Sequence, residues 1–102
     1  MIFFRQDLYL GEGARKDKNI IIRNIRRHKL QFGVYVISLC ANGRDILDII
    51  PTFMLGRDDY KGRDITVLGI ASGKDESFEL AGKMIMDAYE ATGGEDLRGY
   101  FA

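Results

Sequence analysis

The segment from Asp64 to Gly94 constrains the fold of this chain more than any other stretch. It begins with the apolar, β-branched run from Ile65 to Ala71, passes through a glycine turn and continues as a long helical pattern. The pattern stops at Gly93-Gly94, and glycine closes helices because it adopts the left-handed conformation at no steric cost. The segment therefore predicts a buried strand followed by one long helix.

The charged residues of this helix occupy one narrow strip. At about 100° per residue they fall within about 80° of one another. They are Glu76, Glu79, Lys83, Asp87 and Glu90. The remaining arc is apolar and wider than the roughly 100° stripe of an ordinary surface helix. The pattern fits a helix set between the sheet and another helix, or a subunit interface that uses Leu80, Met84 or Met86.

The start of the same helix carries two signals. Ser72 with Asp75 three residues later has the spacing of a capping box, and acidic residues in the first turn suit the positive end of the helix dipole. Ser72, Gly73 and Lys74 also form a turn at a helix N-terminus, where an anion can bind. The acidic side chains of the first two turns would repel a phosphate there, which argues against this candidate anion site.

Composition predicts one folded domain over residues 1–102. Hydrophobic residues make up 46% of the chain, which argues against disorder. Cys40 is the single cysteine and has no partner for a disulfide. No stretch has the pattern of a signal peptide or a membrane span, so we expect a cytoplasmic protein without membrane contact.

The net charge of zero hides an asymmetry. Residues 1–44 carry nine Lys or Arg against three acids, whereas residues 45–102 carry six against twelve. The two halves either neutralise each other within or between subunits, or leave a basic surface for an anionic partner. Neutralisation within one chain is the interpretation that the sequence favours.

The first part of the chain predicts a strand and then a basic helix. A strand over the first ten residues ends at Gly11-Glu12-Gly13, which lacks the third glycine of a dinucleotide-binding fingerprint, so we expect no cofactor. A helix from about Ala14 to Lys29 follows. Its cationic cluster is a candidate nucleic-acid surface, with a merely solvated helix face as the alternative. The cluster comprises Arg23, Arg26, Arg27 and Lys29.

The middle of the chain predicts a hairpin. Val34 to Ala41 is a nearly continuous apolar run, typical of a strand buried on both faces. Asn42-Gly43 is a strong hairpin signal, and Arg44 to Ile50 then returns antiparallel, although its apolar spacing also fits a helix. Pro51 favours the strand because proline restricts the residue before it to extended geometry. A short helical turn follows Pro51.

Residues with catalytic potential are few. Asp59-Tyr60-Lys61, with Asp45 or Asp48 upstream, has the acid-x-Lys pattern of metal-dependent nucleases, but it falls in a glycine-bounded loop where solubility explains it equally well. The single histidine, His28, has no metal-binding partner near it in sequence. We therefore predict no catalytic residue and no bound metal.

Three blocks of sequence resemble a family of short, functionally uncharacterised bacterial proteins, found mainly in Gram-positive organisms. The blocks are DLYLGEG, VYVISLCANGRDILDIIP and VLGIASGKDESFELAGKMIMDAY. The resemblance covers most of the chain. It implies no activity, substrate or catalytic residue.

Together the patterns predict a small single α/β domain. A mixed sheet of about four strands, with Val34 to Ala41 and Ile65 to Ala71 at its centre, carries two main helices and one short helix, in the order β-α-β-β-α-β-α. The main helices are expected near Ala14 to Lys29 and Lys74 to Thr92. The expected function is that of a non-enzymatic binding or regulatory protein that acts as a homo-oligomer. Nucleic-acid binding through the basic first helix is the alternative, and a metal-dependent hydrolase is the third.

Overall fold

A computed structural model describes residues 1–40, 45–57, 60 and 62–102 of the chain. Four strands run over Ile2–Leu10 (β1), Val34–Leu39 (β2), Leu47–Pro51 (β3) and Ile65–Ser72 (β4). Four helices run over Glu12–Arg15 (α1), Lys18–Arg26 (α2), Lys74–Thr92 (α3) and Leu97–Phe101 (α4), and Thr52–Met54 forms a 3₁₀ turn. The α/β class and the mixed four-stranded sheet are confirmed.

The sheet has the strand order β1-β4-β2-β3, so β4 and β2 are central as predicted. β1 runs parallel to β4, whereas β2 is antiparallel to both β4 and β3. The register between β1 and β4 breaks after the pair Phe4–Val67 and resumes at Tyr9–Gly69. Because β1 uses more residues than β4 over this interval, it bulges outward, as edge strands often do.

The two faces of the sheet bury separate apolar clusters. On one face, Ile21 and Ile25 of α2 pack with Val36, Val67 and Ile70 of the sheet. On the other face, Leu80, Met84 and Ala88 of α3 and Phe101 of α4 pack with Ile37 and Leu68. The alternation of side chains along β2 and β4 supplies both clusters, which is why these strands read as nearly continuous apolar runs.

The predicted single helix from Ala14 to Lys29 is wrong in its bounds. Two helices replace it: α1 is attached to the first turn of α3 through the hydrogen bond from the N–H of Gly13 to Glu76, whereas α2 packs on the sheet through Ile21 and Ile25. The break between α1 and α2 allows α1 to contact α3 while α2 packs on the sheet. α2 then ends at Arg26, because His28 adopts a left-handed conformation with φ +56°.

The hairpin prediction is confirmed by the antiparallel pairing of β2 with β3. Its turn, Asn42-Gly43, lies outside the described residues, as does Arg44. The strand begins at Leu47 and reaches Pro51, and the short helical turn after Pro51 is the 3₁₀ turn. The chain's last residues form α4, which the sequence pattern did not predict as a helix.

α3 has the predicted bounds and the predicted glycine stop, with φ +71° at Gly93 and +92° at Gly94. None of the helices in the described part of the chain has both the length and the apolar character needed to cross a lipid bilayer.

Tyr9 connects β1 to the helical layer on its face of the sheet. Its hydroxyl donates a hydrogen bond to Asp87 Oδ2 of α3 at 3.0 Å. Burial, together with hydrogen bonds to Tyr100 and Asp87, raises the pKa of the Tyr9 phenol well above its ordinary value of 10.0. The folded protein therefore keeps this proton at a pH where an unfolded chain loses it.

The raised pKa of Tyr9 predicts a loss of stability at alkaline pH. Its contribution is fully present below about pH 10, the pKa of an unperturbed tyrosine, and is lost as the pH rises from there towards the folded-state pKa. Urea unfolding followed between about pH 8 and 11 should show a shallower alkaline decline for Tyr9→Phe than for the parent.

Tyr89→Phe is the matched control, because this ring is exposed on the same helix that Tyr9 contacts. It should keep the parent's alkaline decline. If Tyr9→Phe declined as steeply as Tyr89→Phe, the proposed contribution of Tyr9 would be absent.

Candidate functional site

Basic residues at the C-terminal end of α2 line a groove on the surface of the protein. His28 N–H donates to the Ile25 carbonyl at 3.1 Å, and Lys29 N–H donates to the Asn24 carbonyl at 2.9 Å. This pair of bonds around a left-handed residue is a Schellman motif, with histidine where glycine is commonest. The motif reverses the chain within two residues, which sets His28 and Lys29 beside Arg26 at one edge of the domain.

The main cavity of the groove has a volume of about 640 Å³. Its floor is apolar and includes Ile2, Ile25 and Leu55, and its rim carries Arg26 and Arg63. Three separate parts of the chain meet there: β1, α2 and the segment between the 3₁₀ turn and β4. The volume lies in the range that ligand pockets occupy, about 300–1,000 Å³.

Aromatic rings hold the two rim arginines. The Arg26 guanidinium lies 5.2 Å from the centre of the Phe4 ring, and that of Arg63 lies 5.8 Å from the Tyr60 ring. Cation–π contacts of this kind fix a guanidinium without neutralising its charge. Both arginines therefore keep hydrogen-bond donors for a ligand.

A second cavity of about 240 Å³ continues the groove. It shares Ile25, His28, Leu55 and Gly56 with the first cavity and adds Lys29 and Arg57. Phe53 also lines it. The ring of Phe53 lies 5.9 Å from that of Phe32, which is 74% exposed. The groove thus ends in an exposed aromatic surface.

The charge of the groove is one-sided. None of its described lining residues is Asp or Glu. Met1, which lines the first cavity, pairs its amino group with Asp64 Oδ1 at 3.4 Å, and both side chains are exposed. Asp58, Asp59 and Lys61 precede or interrupt the lining segment in sequence and lie outside the described residues.

Two of the four predicted nucleic-acid-binding residues line the groove. They are Arg26 and Lys29. Arg23 on α2 and Arg27, the residue after α2, are exposed but do not line the groove. The sequence did not indicate Arg57, Arg63, Phe32 or Phe53 as members of the site, because none of them belongs to a motif and all but Phe32 are distant in sequence from α2.

Among the described side chains, one ion pair, Met1–Asp64, joins the basic half of the chain to the acidic half. Their ion pairs are Met1–Asp64, Arg5–Asp7 and Arg15–Glu12, and none of these joins α2 to α3. α2 and α3 lie on opposite faces of the sheet, so the basic and acidic helices face away from each other.

The glycine turns after β1 and β4 lie together, as the ends of neighbouring parallel strands must. The carboxylate of Glu76 occupies the space between them. Ser72 N–H donates to Glu76 Oε2 at 2.6 Å, and Gly13 N–H donates to Glu76 Oε1 at 2.7 Å. A Cβ atom on Gly11 would collide with this carboxylate. The turn therefore holds an anion that belongs to the protein itself.

This arrangement corrects the predicted capping box. Ser72 precedes the N-cap residue Gly73, and Glu76 rather than Asp75 reaches back to the backbone. Ser72, Gly73 and Lys74 do form the turn predicted for an anion, but the Ser72 N–H is already bonded to Glu76. An external anion would have to displace that carboxylate, and its binding there stays a prediction.

The other predicted site residues lie in the core, on the surface or outside the described residues. Leu80 and Met84 are 7% and 0% exposed in the core of a single chain, which leaves Met86, at 56%, as the surface residue of the three predicted for an interface. Asp59 and Lys61 lie outside the described residues, whereas Asp45 and Asp48 flank the start of β3. Within the described ranges, no three His, Cys, Asp or Glu residues are placed to hold a metal ion.

Comparison with protein-family models, with curated proteins and with solved structures gives no match to this chain. The resemblance to short bacterial proteins therefore stays a prediction.

The contacts of Glu76 predict that Glu76→Ala destabilises the protein by about 1–2 kcal/mol. The substitution removes the acceptor of two backbone N–H groups on separate turns and frees α1 from α3. Urea unfolding at neutral pH measures the change.

Glu79→Ala is the matched control, since Glu79 is exposed one turn further along α3. We expect its effect to stay within about 0.5 kcal/mol. Equal stabilities for the two variants would show that the Glu76 contacts contribute nothing beyond helix charge.

Proposed function

We propose that this protein is a non-enzymatic binding protein whose ligand is single-stranded nucleic acid, held along the groove beside α2. The observation that carries the proposal is the groove itself: an apolar floor, a rim of cations with no described carboxylate among its lining residues, and the exposed ring of Phe32 beside the half-buried Phe53 at one end.

The rim cations suit a phosphate backbone. Arg26, Lys29, Arg57 and Arg63 line two connected cavities rather than one convex helix surface. A backbone that follows the groove would meet them in succession, and each contact releases a counterion that the nucleic acid had condensed. This row of cations favours an extended polyanion over a single phosphate as the ligand.

The aromatic residues suit unpaired bases. Base stacking on exposed aromatic rings contributes about 1–3 kcal/mol per base and tolerates any sequence. Phe32 offers a largely exposed ring, tilted against the ring of Phe53, next to the cavity that Lys29 and Arg57 line. Paired bases in a duplex are stacked on one another and cannot use such a ring, which favours a single strand.

The fold supports the proposal by placing the acidic helix α3 on the opposite face of the sheet. The acidic strip of α3 lies across the sheet from α2, so the potential near the groove is set by the residues of its own side. A polyanion is attracted to this side and repelled by the other.

Neutralising a groove arginine should weaken binding more than neutralising Arg27, the residue that follows α2. For a labelled single-stranded DNA oligonucleotide followed by fluorescence anisotropy, four phosphate contacts predict a slope of log affinity against log salt of about −3. Arg26→Gln and Arg63→Gln should each lower the affinity about three- to tenfold at low salt and reduce the slope by about 0.7.

Arg27→Gln is the matched control, because it removes the same charge from the residue next to Arg26 outside the groove. Its effect should be below about twofold. Equal losses for Arg27→Gln and Arg26→Gln would assign the binding to general helix charge, and no binding at low salt would refute the proposal.

Removing the exposed ring should weaken binding without unfolding the protein. Phe32→Ala is expected to lower the affinity for the single strand by about ten- to a hundredfold, the equivalent of one stacked base. Phe3→Ala, which removes an exposed ring from β1, is the control and should leave the affinity unchanged.

A duplex of the same sequence provides the second comparison. We expect the duplex to bind more weakly than the single strand, and to be insensitive to Phe32→Ala. A duplex that bound more tightly, or equal losses for Phe32→Ala and Phe3→Ala, would contradict the stacking role of Phe32.

A further inference from the structure

His28 adopts a backbone conformation that its side chain does not favour. Its φ of +56° lies in the left-handed region, where the residue that ends a helix is usually glycine and sometimes asparagine. Histidine is less stable than glycine in this region because its Cβ atom comes close to the following carbonyl oxygen. Residues that keep such a conformation at a cost to stability cluster at functional sites, so His28 calls for an explanation.

Asp96 is the other non-glycine residue with a positive φ among the described residues, at +50°. The side chain of Asp96 explains its conformation, because its carboxylate accepts a hydrogen bond from the N–H of Gly99 at 3.0 Å and so caps α4. In the described part of the chain, the His28 side chain forms no hydrogen bond and no ion pair. The structure therefore shows no polar contact within these residues for which a histidine is needed.

His28 lies at the junction of the two cavities that form the groove. It lines both the cavity of about 640 Å³ and the cavity of about 240 Å³. The other described residues common to both cavities are Ile25, Leu55 and Gly56, whose side chains are apolar or absent. A strand that runs from one cavity to the other must therefore pass the imidazole, the one polar side chain that the two cavities share among the described residues.

The turn that carries His28 is fixed before any ligand binds. The side-chain amide of Asn24 donates to Gln31 Oε1 at 3.3 Å, and Thr52 Oγ1 donates to the Gln31 carbonyl at 3.4 Å. These bonds tie the end of the turn to α2 on one side and to the 3₁₀ turn on the other. A side chain presented from a fixed turn loses less conformational entropy on binding.

We propose that His28 binds the phosphate of the single strand that lies at the junction of the two cavities, and that it does so in its protonated form. This inference rests on the proposed function. An imidazolium offers a phosphate two N–H donors and a positive charge. Histidine changes its charge between pH 5 and 8, and a bound phosphate favours the protonated ring. Binding is therefore coupled to the uptake of a proton, and the affinity increases as the pH falls.

The other charged or titratable groups around His28 come from every element that borders the groove. They are Arg26 of α2, Lys29 of the same turn, Arg57 and Tyr60 after the 3₁₀ turn, Arg63 before β4 and the amino group of Met1 before β1. Arginine, lysine and tyrosine side chains do not change their charge between pH 5 and 8. An α-amino group loses its proton towards pH 8, so the test needs a variant that leaves Met1 in place.

The experiment is fluorescence anisotropy of a labelled oligothymidylate between about pH 8 and about pH 5.5, at several salt concentrations. Neither thymine nor the phosphodiester titrates in this range. The parent should bind about three- to tenfold more tightly at the lower pH. Its slope of log affinity against log salt should also become steeper by about 0.7, as one further phosphate contact requires.

His28→Asn and His28→Gly remove the ring and keep residues that accept the left-handed conformation. Both variants should match the affinity of the parent at the higher pH within about twofold, and both should lose its gain at the lower pH. His28→Gly should unfold at a urea midpoint no lower than that of the parent, because glycine is the commonest residue at this position. Misfolding is thereby separated from loss of the contact.

Lys29→Gln is the matched control, since it removes a lasting charge from the residue next to His28 in the same groove. It should lower the affinity by a similar factor at every pH and keep the gain at the lower pH.

Two results would overturn the role of His28 and leave the proposed function intact. One is a parent that binds the oligothymidylate equally well at both ends of the pH range. The other is a His28→Asn variant that keeps the full gain, which would assign the gain to the amino group of Met1. Absence of binding by the parent at every pH and at low salt would instead refute the proposed function, and the role of His28 with it.

Discussion

The burial of β4 on both faces is the constraint on which the rest of the structure depends. Hydrogen-bonded to β1 on one side and β2 on the other, β4 points Val67 and Ile70 to one face and Leu68 and Ala71 to the other. Each buried aliphatic side chain of this size is worth about 1.5–3 kcal/mol, so both faces must be covered. α2 covers one and α3 with α4 covers the other, which separates the basic helix from the acidic one.

This separation explains why zero net charge does not mean a neutral surface. Charges that lie across a sheet and its helices are about as far apart as the domain allows, well beyond the screening length of about 8 Å in physiological salt. Each side of the molecule therefore presents its own charge.

At the candidate anion turn, the spacing of residues along the sequence did not identify the side chain that makes the contact. The spacing of Ser72 and Asp75 satisfies a capping box, yet Glu76 makes the contact, because its carboxylate also reaches the N–H of Gly13 on the neighbouring turn. That second donor comes from a segment about sixty residues away in sequence, and its position depends on the parallel pairing of β1 with β4. Local spacing carries no information about it.

The sequence by itself determined the central strands, the bounds of α3 and the hairpin of β2 with β3. These features follow from short-range periodicity and from glycine and proline, whose conformational preferences are local. Only the tertiary structure decided that α2 ends early at a left-handed His28, that Leu80 and Met84 are core while Met86 is surface, and that Arg57, Arg63 and Phe32 join Arg26 at one groove. The reason is physical: a helix with a wide apolar arc can bury any part of it, and the sheet it packs on decides which part remains exposed.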